Sequence, residues 1–194
     1  MHYEVLQSDD DLRKYSEQTE QFIHVALPLE YLRRSKVVVY KNKDREIIAG
    51  YCLALLPPFR SLLPVPKSTQ DYMGNVEDKV LEMNGVWIAP NYRKRNFAAR
   101  FWLKFVYDLY LSGKSYFLYS YSSDKERLGK AYTVLSPKRI WCGNVQISGM
   151  DKSEIENVEV IRRKSVPRGL MRHIFGIFKN RYFYGSGAKL NQKI

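Results

Sequence analysis

The chain has 194 residues, a formal net charge of +12 and 45% hydrophobic residues, which exclude a wholly disordered chain and predict one globular body with a real core. Its two cysteines, Cys52 and Cys142, and its three histidines are too scattered along the sequence to form a metal site, so we expect free thiols and no metal. The acidic N-terminus differs from a signal peptide and no apolar run approaches the length of a membrane span, so we expect a cytoplasmic location.

The positive charge is concentrated at the C-terminal end. Residues 160–194 contain nine Lys and Arg and no acidic residue, whereas the first 159 residues carry a net charge of only +3. This contrast divides the chain into a body over residues 1–165 and a basic, aromatic-rich C-terminal extension over residues 166–194.

Hydrophobic periodicity and turn residues predict alternating helices and strands. The helix between strands 80–90 and 115–122 predicts that these two strands are parallel within a mixed sheet. Four prolines between residues 57 and 66 predict a loop, because proline interrupts helices and central strands alike. In chain order the predicted elements are a helix over 9–25, strands over 36–40 and 47–55, a loop over 57–75, a strand over 80–90, a helix over 97–113, a strand over 115–122, a helix over 124–135, and strands over 139–148 and 158–163.

Residues 86–105 contain a strand, a basic turn and a helix N-terminus in immediate succession. The unpaired N–H groups of a first helical turn and the helix dipole favour a bound anion. Arg93, Lys94 and Arg95 add positive charge at the same place. The segment therefore predicts a phosphate-binding turn, and a solvated basic turn is the alternative interpretation.

This segment resembles the cofactor motif of the GCN5-related N-acetyltransferases, Arg/Gln-x-x-Gly-x-Gly/Ala following a strand that ends in a V-x-P-like sequence. Here the motif reads Arg93-Lys94-Arg95-Asn96-Phe97-Ala98, with Asn96 at a usual glycine position. The hairpin over residues 36–55 and the later β, α, β order are also similar to the family, so the resemblance covers roughly residues 5–148. It implies an α/β fold with a central mixed β-sheet flanked by helices.

The resemblance also implies an activity, the transfer of an acyl group, with acetyl expected, from a coenzyme A (CoA) or acyl-carrier-protein thioester to an amine. The pantetheine arm of the donor would pair with the strand edge at Val86, Trp87 and Ile88. The donor diphosphate would lie on the turn formed by Arg93, Lys94, Arg95, Asn96, Phe97 and Ala98. The alternative is a non-catalytic binding module that keeps the fold and docks through its basic extension.

Two residues occupy positions that the family uses in catalysis. Glu82 lies eleven residues before Arg93, where several members carry a carboxylate that deprotonates the amine. Tyr132 matches a tyrosine that protonates the leaving thiolate, although Ser136-Pro137 replaces the glycine and aromatic residue that usually follow. An exposed glutamate at a strand start, and a tyrosine of the core or surface, are the alternative interpretations.

The basic extension combines cations with bulky apolar residues near helical spacing, such as Leu170, Ile174, Ile177 and Phe178. Three interpretations are open: binding to an anionic membrane surface, docking of an acidic acyl carrier protein, and packing on the body with the charges solvated. Binding to nucleic acid is a fourth and weaker interpretation, because no recognised nucleic-acid motif accompanies the charge.

Overall fold

The computed structural model describes residues 2–93, 95–124, 133, 135–145 and 153–169. Its helices and strands are, in chain order, β1 (His2–Leu6), α1 (Asp9–Ile23), α2 (Leu29–Arg33), β2 (Ser35–Lys41), β3 (Ile47–Ala54), α3 (Lys67–Gly74), β4 (Val80–Ile88), α4 (Arg95–Leu111), β5 (Tyr116–Ser122), β6 (Lys138–Val145) and β7 (Glu154–Arg162). The strands form one seven-stranded sheet in the order β1-β2-β3-β4-β5-β7-β6.

The mixed sheet predicted from the sequence is confirmed. β4 and β5 pair in parallel, as expected for strands joined by a helix, and the other neighbours are antiparallel. β2 and β3 form the predicted hairpin. Most of the helix predicted over residues 124–135 lies outside the described residues, as do the last residues of the strand predicted over 139–148.

The prediction of an unbroken loop over residues 57–75 was wrong in its second half, where α3 lies. The prolines end at Pro66, which directly precedes the first helical residue, and the segment after it contains none. Proline is compatible with a helix start because its missing N–H group would have no partner there. The short elements β1 and α2 were also missed.

The sheet is covered on both faces. α1 and α2 pack on one face, where Leu12, Tyr15 and Tyr31 join the buried residues of the sheet. α4 packs on the other face through the stripe predicted from its spacing, Phe97, Phe101, Phe105 and Leu109, all of which are buried.

A buried carboxylate ties α4 to the sheet. Asp108 accepts a hydrogen bond from the Tyr51 hydroxyl at 2.6 Å, and ion pairs with Lys104 at 2.6 Å and Lys36 at 3.1 Å. Burial alone would raise the pKa of Asp108, but the hydrogen bonds from Lys104, Tyr51 and Lys36 outweigh it and hold that pKa below its ordinary value. Asp108 thereby joins α4 to β2 and β3.

Asp108→Asn is expected to lower the free energy of unfolding at neutral pH by about 2 kcal/mol, because the neutral amide cannot replace a charged acceptor. The pKa of Asp108 is lower in the folded chain than its ordinary value, so this contribution is present at neutral pH and is lost as the pH falls through the folded pKa. Urea unfolding should therefore show that the difference in free energy of unfolding between the unchanged chain and Asp108→Asn is smaller at acid pH than at neutral pH. A difference that stays constant would contradict the assignment.

Candidate functional site

β4 and β5 pair over only part of their length. Their ladder contains Val80–Tyr116, Leu81–Phe117 and Glu82–Leu118 and stops there, although the strands continue to Ile88 and Ser122. Beyond the ladder the strands diverge and a cleft lies between them. Residues of both strands and of neighbouring segments line it, namely Ile23, Val25, Arg60, Met83, Asn84, Gly85, Val86, Tyr119, Ser120, Tyr121, Ser122, Glu154 and Glu156.

A bulge shapes β4 where it leaves β5. Between the pairs Cys52–Asn84 and Gly50–Trp87, two residues of β4, Gly85 and Val86, face one residue of β3. Gly85 has a φ of +59°, and its carbonyl accepts a hydrogen bond from the Tyr15 hydroxyl at 2.6 Å. A Cβ atom at position 85 would lie 2.6 Å from that hydroxyl oxygen. Glycine is therefore required both by the left-handed backbone and by the contact with Tyr15.

The predicted anion turn lies at the end of β4. A 3-10 turn, Pro90–Tyr92, connects the strand to α4, and Arg93 follows it directly. The Arg93 Nε donates to the Ile88 carbonyl oxygen at 2.9 Å, which holds the exposed guanidinium beside the helix start. Lys94 and the side chain of Arg95 lie outside the described residues.

The first turn of α4 is fixed to the sheet by an aromatic contact and leaves small or polar side chains outside. Phe97 is buried and meets the Tyr40 ring edge-on with centroids 5.5 Å apart. Asn96 is exposed and Ala98 is half-buried. The turn is thus rigid on its inner side and accessible on its outer side, as an anion site at a helix N-terminus requires.

The three predicted edge residues of β4 have different environments. Val86 lines the cleft. Trp87 is a core residue, because its side chain is buried against the Phe22 ring and its Nε1 donates to Thr19 Oγ1 at 3.1 Å. Ile88 is buried on the α4 face. Of the three side chains, only that of Val86 lines the cleft, whereas the β4–β5 ladder ends before all three residues.

Glu82 is completely buried, so the interpretation as an exposed strand-start glutamate is wrong. Its Oε2 accepts hydrogen bonds from the Tyr31 hydroxyl at 2.6 Å and the Arg60 backbone N–H at 2.9 Å, and its Oε1 accepts from the Ser61 backbone N–H at 2.5 Å. Burial and the Glu82 charge raise the pKa of Tyr31 well above its ordinary value, so its hydroxyl remains a donor. Glu82 does not line the cleft, whereas Met83, the next residue of β4, does.

The α1 side of the cleft contains a buried cation that the sequence did not reveal. Arg60 is 6% exposed, and its Nη1 donates to the Ala26 carbonyl at 2.9 Å. Burial lowers the pKa of the guanidinium, and the charges of Glu82 and Glu156 act in the opposite direction. Arg60 lies in a loop predicted from its prolines. Only the folded chain shows that it lines the cleft together with residues of β4 and β7.

Two tyrosines of β5 also line the cleft and share one carboxylate. The Tyr119 hydroxyl donates to Glu159 Oε2 at 2.6 Å, and the Tyr121 hydroxyl donates to Glu159 Oε1 at 3.1 Å. Strand alternation in residues 115–122 places the two tyrosines on one face. Their carboxylate partner could be identified only from the register of β5 with β7.

Tyr132, the second predicted catalytic residue, lies outside the described residues, so its role stays a prediction. Within the described ranges, no group of three or more His, Cys, Asp and Glu side chains could hold a metal ion.

Glu82→Gln is expected to lower the free energy of unfolding by about 1–3 kcal/mol, because the amide nitrogen would face a buried donor and leave it unpaired. Tyr31→Phe removes a single donor and should cost about 1 kcal/mol. Urea unfolding at neutral pH measures both. Glu17→Gln, a change at an exposed position of α1, is the matched control and should stay within about 0.5 kcal/mol of the unchanged chain. If Glu82→Gln were as stable as this control, the buried hydrogen bonds assigned to Glu82 would be contradicted.

Comparison with known proteins finds likeness in solved structures alone, since no protein-family model and no curated protein matches the chain. FeeM, an N-acyl amino acid synthase from uncultured soil microbes, is 10% identical with a TM-score of 0.61, over 81% of this chain and 94% of FeeM. The ribosomal-protein-S18-alanine N-acetyltransferase from Escherichia coli is 8% identical with a TM-score of 0.57, over 83% of this chain and 92% of that one. The fold implied by the family resemblance is therefore confirmed.

Proposed function

We propose that this chain, which has the fold of the GCN5-related N-acetyltransferases, transfers an acyl group from a CoA or acyl-carrier-protein thioester to an amine. The observation that carries the proposal is the cleft between β4 and β5, which has residues from both faces of the sheet in its wall. A thioester entering along β4 and an amine entering from the α1 side would meet within it. Holding the two reactants in one cleft supplies the proximity that acyl transfer needs.

The donor is expected to bind along β4 and at the start of α4. The N–H groups of the first turn of α4 would receive the diphosphate, with Arg93, Lys94 and Arg95 as counter-charges. The pantetheine amides would pair with the backbone edge of β4 at Val86, Trp87 and Ile88, as an added strand does. The hydrogen bond from Arg93 to Ile88 supports this arrangement, because it holds the guanidinium where strand and helix meet.

The reaction is a direct transfer. The amine nitrogen attacks the thioester carbonyl carbon, the new C–N bond forms as the C–S bond breaks, the amine loses one proton and the thiolate gains one. Glu82 is the proposed base; because neither it nor the Tyr31 hydroxyl bound to it lines the cleft, the amine's proton would reach the carboxylate through bound water. Tyr132 is the proposed acid for the thiolate, and equal activity in Tyr132→Phe would remove it from the mechanism.

The second candidate is a non-catalytic binding module with the same fold. Two observations favour it: Asn96 stands at a usual glycine position, and the Glu82 carboxylate already accepts three hydrogen bonds. Such a module would bind a CoA thioester without turnover, so binding and activity measured on the same preparation distinguish the two candidates.

Arg93→Glu is expected to weaken binding of acetyl-CoA at least about tenfold, because it places a negative charge beside the diphosphate. Isothermal titration calorimetry measures the affinity. Arg13→Glu, which changes an exposed arginine on α1, is the control and should bind as the unchanged chain does. Asn96→Gly should bind equally well or more tightly. Absence of binding by the unchanged protein to any CoA thioester and to acylated carrier protein would refute the donor assignment.

Glu82→Gln is expected to lower turnover at neutral pH more than it lowers donor affinity, and to remove the acidic limb of the pH–rate profile, because the carboxylate would act on the amine and not on the donor. Tyr31→Phe keeps the carboxylate and should keep the acidic limb. Rates should be measured at a temperature where both variants are folded. A pH–rate profile of Glu82→Gln identical to that of the unchanged chain would remove Glu82 from the mechanism.

A further inference from the structure

α4 is apolar on two opposite faces. Its inner stripe is buried, yet its outward side presents a second apolar set, which we call the outer face of α4. Five of the ten large apolar side chains exposed within the described part of the chain belong to it: Trp102 (38% exposed), Leu103 (64%), Tyr107 (58%), Tyr110 (46%) and Leu111 (62%). A helix that is apolar all round is ordinarily covered all round, so this face is expected to have a partner.

The charges around the outer face are positive. The Lys104 Nζ lies 4.7 Å from the Tyr3 ring centroid and 5.9 Å from that of Tyr107, and the Arg163 guanidinium lies 4.2 Å from the Tyr110 centroid. Arg100 is exposed on the same helix. The one acidic residue of α4, Asp108, is buried against the sheet. Aromatic rings and cations without an exposed carboxylate on the helix favour an anionic partner.

The first residues of the basic extension, up to residue 169, are described, and they lie near α4. Residues 165–169 form a helical turn after β7, and Val166 is buried in the same core cluster as Phe105 and Leu109. Residues 170–194 then add five Lys and Arg, several bulky apolar residues and no acid. The extension and the outer face both carry positive charge, so both would favour an anionic surface.

We propose that the outer face of α4, together with the basic extension, docks this protein on an anionic lipid bilayer. Trp102, Tyr107 and Tyr110 would lie at the headgroup level and Leu103 and Leu111 at the acyl boundary, the arrangement of interfacial amphipathic helices. The surrounding Lys and Arg would meet lipid phosphates. None of the described helices is long and apolar enough to span a membrane, so the association would be peripheral. This inference does not depend on the proposed acyltransferase activity.

The test is co-sedimentation of the full chain with vesicles of phosphatidylcholine and phosphatidylglycerol, compared with vesicles of phosphatidylcholine alone. Binding is expected to the anionic vesicles and to weaken at high salt, where surface charges are screened. Leu103→Asp/Leu111→Asp should reduce the bound fraction at least about tenfold, because charges would replace two apolar side chains that enter the acyl boundary on binding. Leu56→Asp/Leu63→Asp, which changes two equally exposed leucines in the loop after β3, should bind as the unchanged chain does.

A second full-length variant, Arg172→Glu/Lys179→Glu/Arg181→Glu, tests the extension and should also weaken vesicle binding. Thermal unfolding establishes that each variant is folded. Unchanged vesicle binding by Leu103→Asp/Leu111→Asp would overturn the proposal for α4. A lipid-free dimer that these two substitutions dissociate, without vesicle binding by the unchanged chain, would show instead that the outer face joins two copies. Unchanged or stronger vesicle binding by the extension variant would overturn the part of the proposal that assigns the extension to the bilayer.

Discussion

The candidate site depends on the point at which β4 and β5 stop pairing. Their ladder ends at Glu82 and Leu118, and the bulge at Gly85 bends β4 just beyond it. The Tyr15 hydroxyl fixes that bulge from α1 by donating a hydrogen bond to the Gly85 carbonyl. Because parallel strands satisfy each other's backbone groups along their whole shared length, an early end to the ladder leaves polar edges for a ligand.

The Glu82 carboxylate connects the fold to the proposed chemistry. It accepts hydrogen bonds from the Tyr31 hydroxyl of α2 and from the backbone N–H groups of Arg60 and Ser61 in the loop after β3. These bonds hold α2 and that loop against β4. Through Arg60 the same contacts place a buried cation in the cleft wall. A carboxylate with three donors has little capacity left for an amine, which is why proton transfer through bound water is a more suitable model than direct transfer.

The sequence predicted those parts of the molecule that local patterns determine. The β-branched runs of β2 and β3, the buried stripe of α4 and the strand, turn and helix around Arg93 were all identified from short segments. The walls of the cleft were not, because Arg60, Asn84, Tyr119 and Glu156 come from distant segments that only strand register and loop packing bring together. The eleven-residue spacing from Arg93 identified Glu82 as a candidate carboxylate. Its burial could not be predicted, because its hydrogen-bond donors lie more than twenty residues away in sequence.

The short ladder between β4 and β5 also has a mechanical consequence. It divides the sheet into one part containing β1 to β4 and another containing β5, β7 and β6, and three residue pairs form the backbone seam between them. Amide hydrogens along this seam should exchange with solvent at a lower free energy of opening than those of the central hairpin β2–β3. An extended ligand that bridged the two strands would lengthen the seam, so occupancy would stiffen the whole sheet as well as fill the cleft.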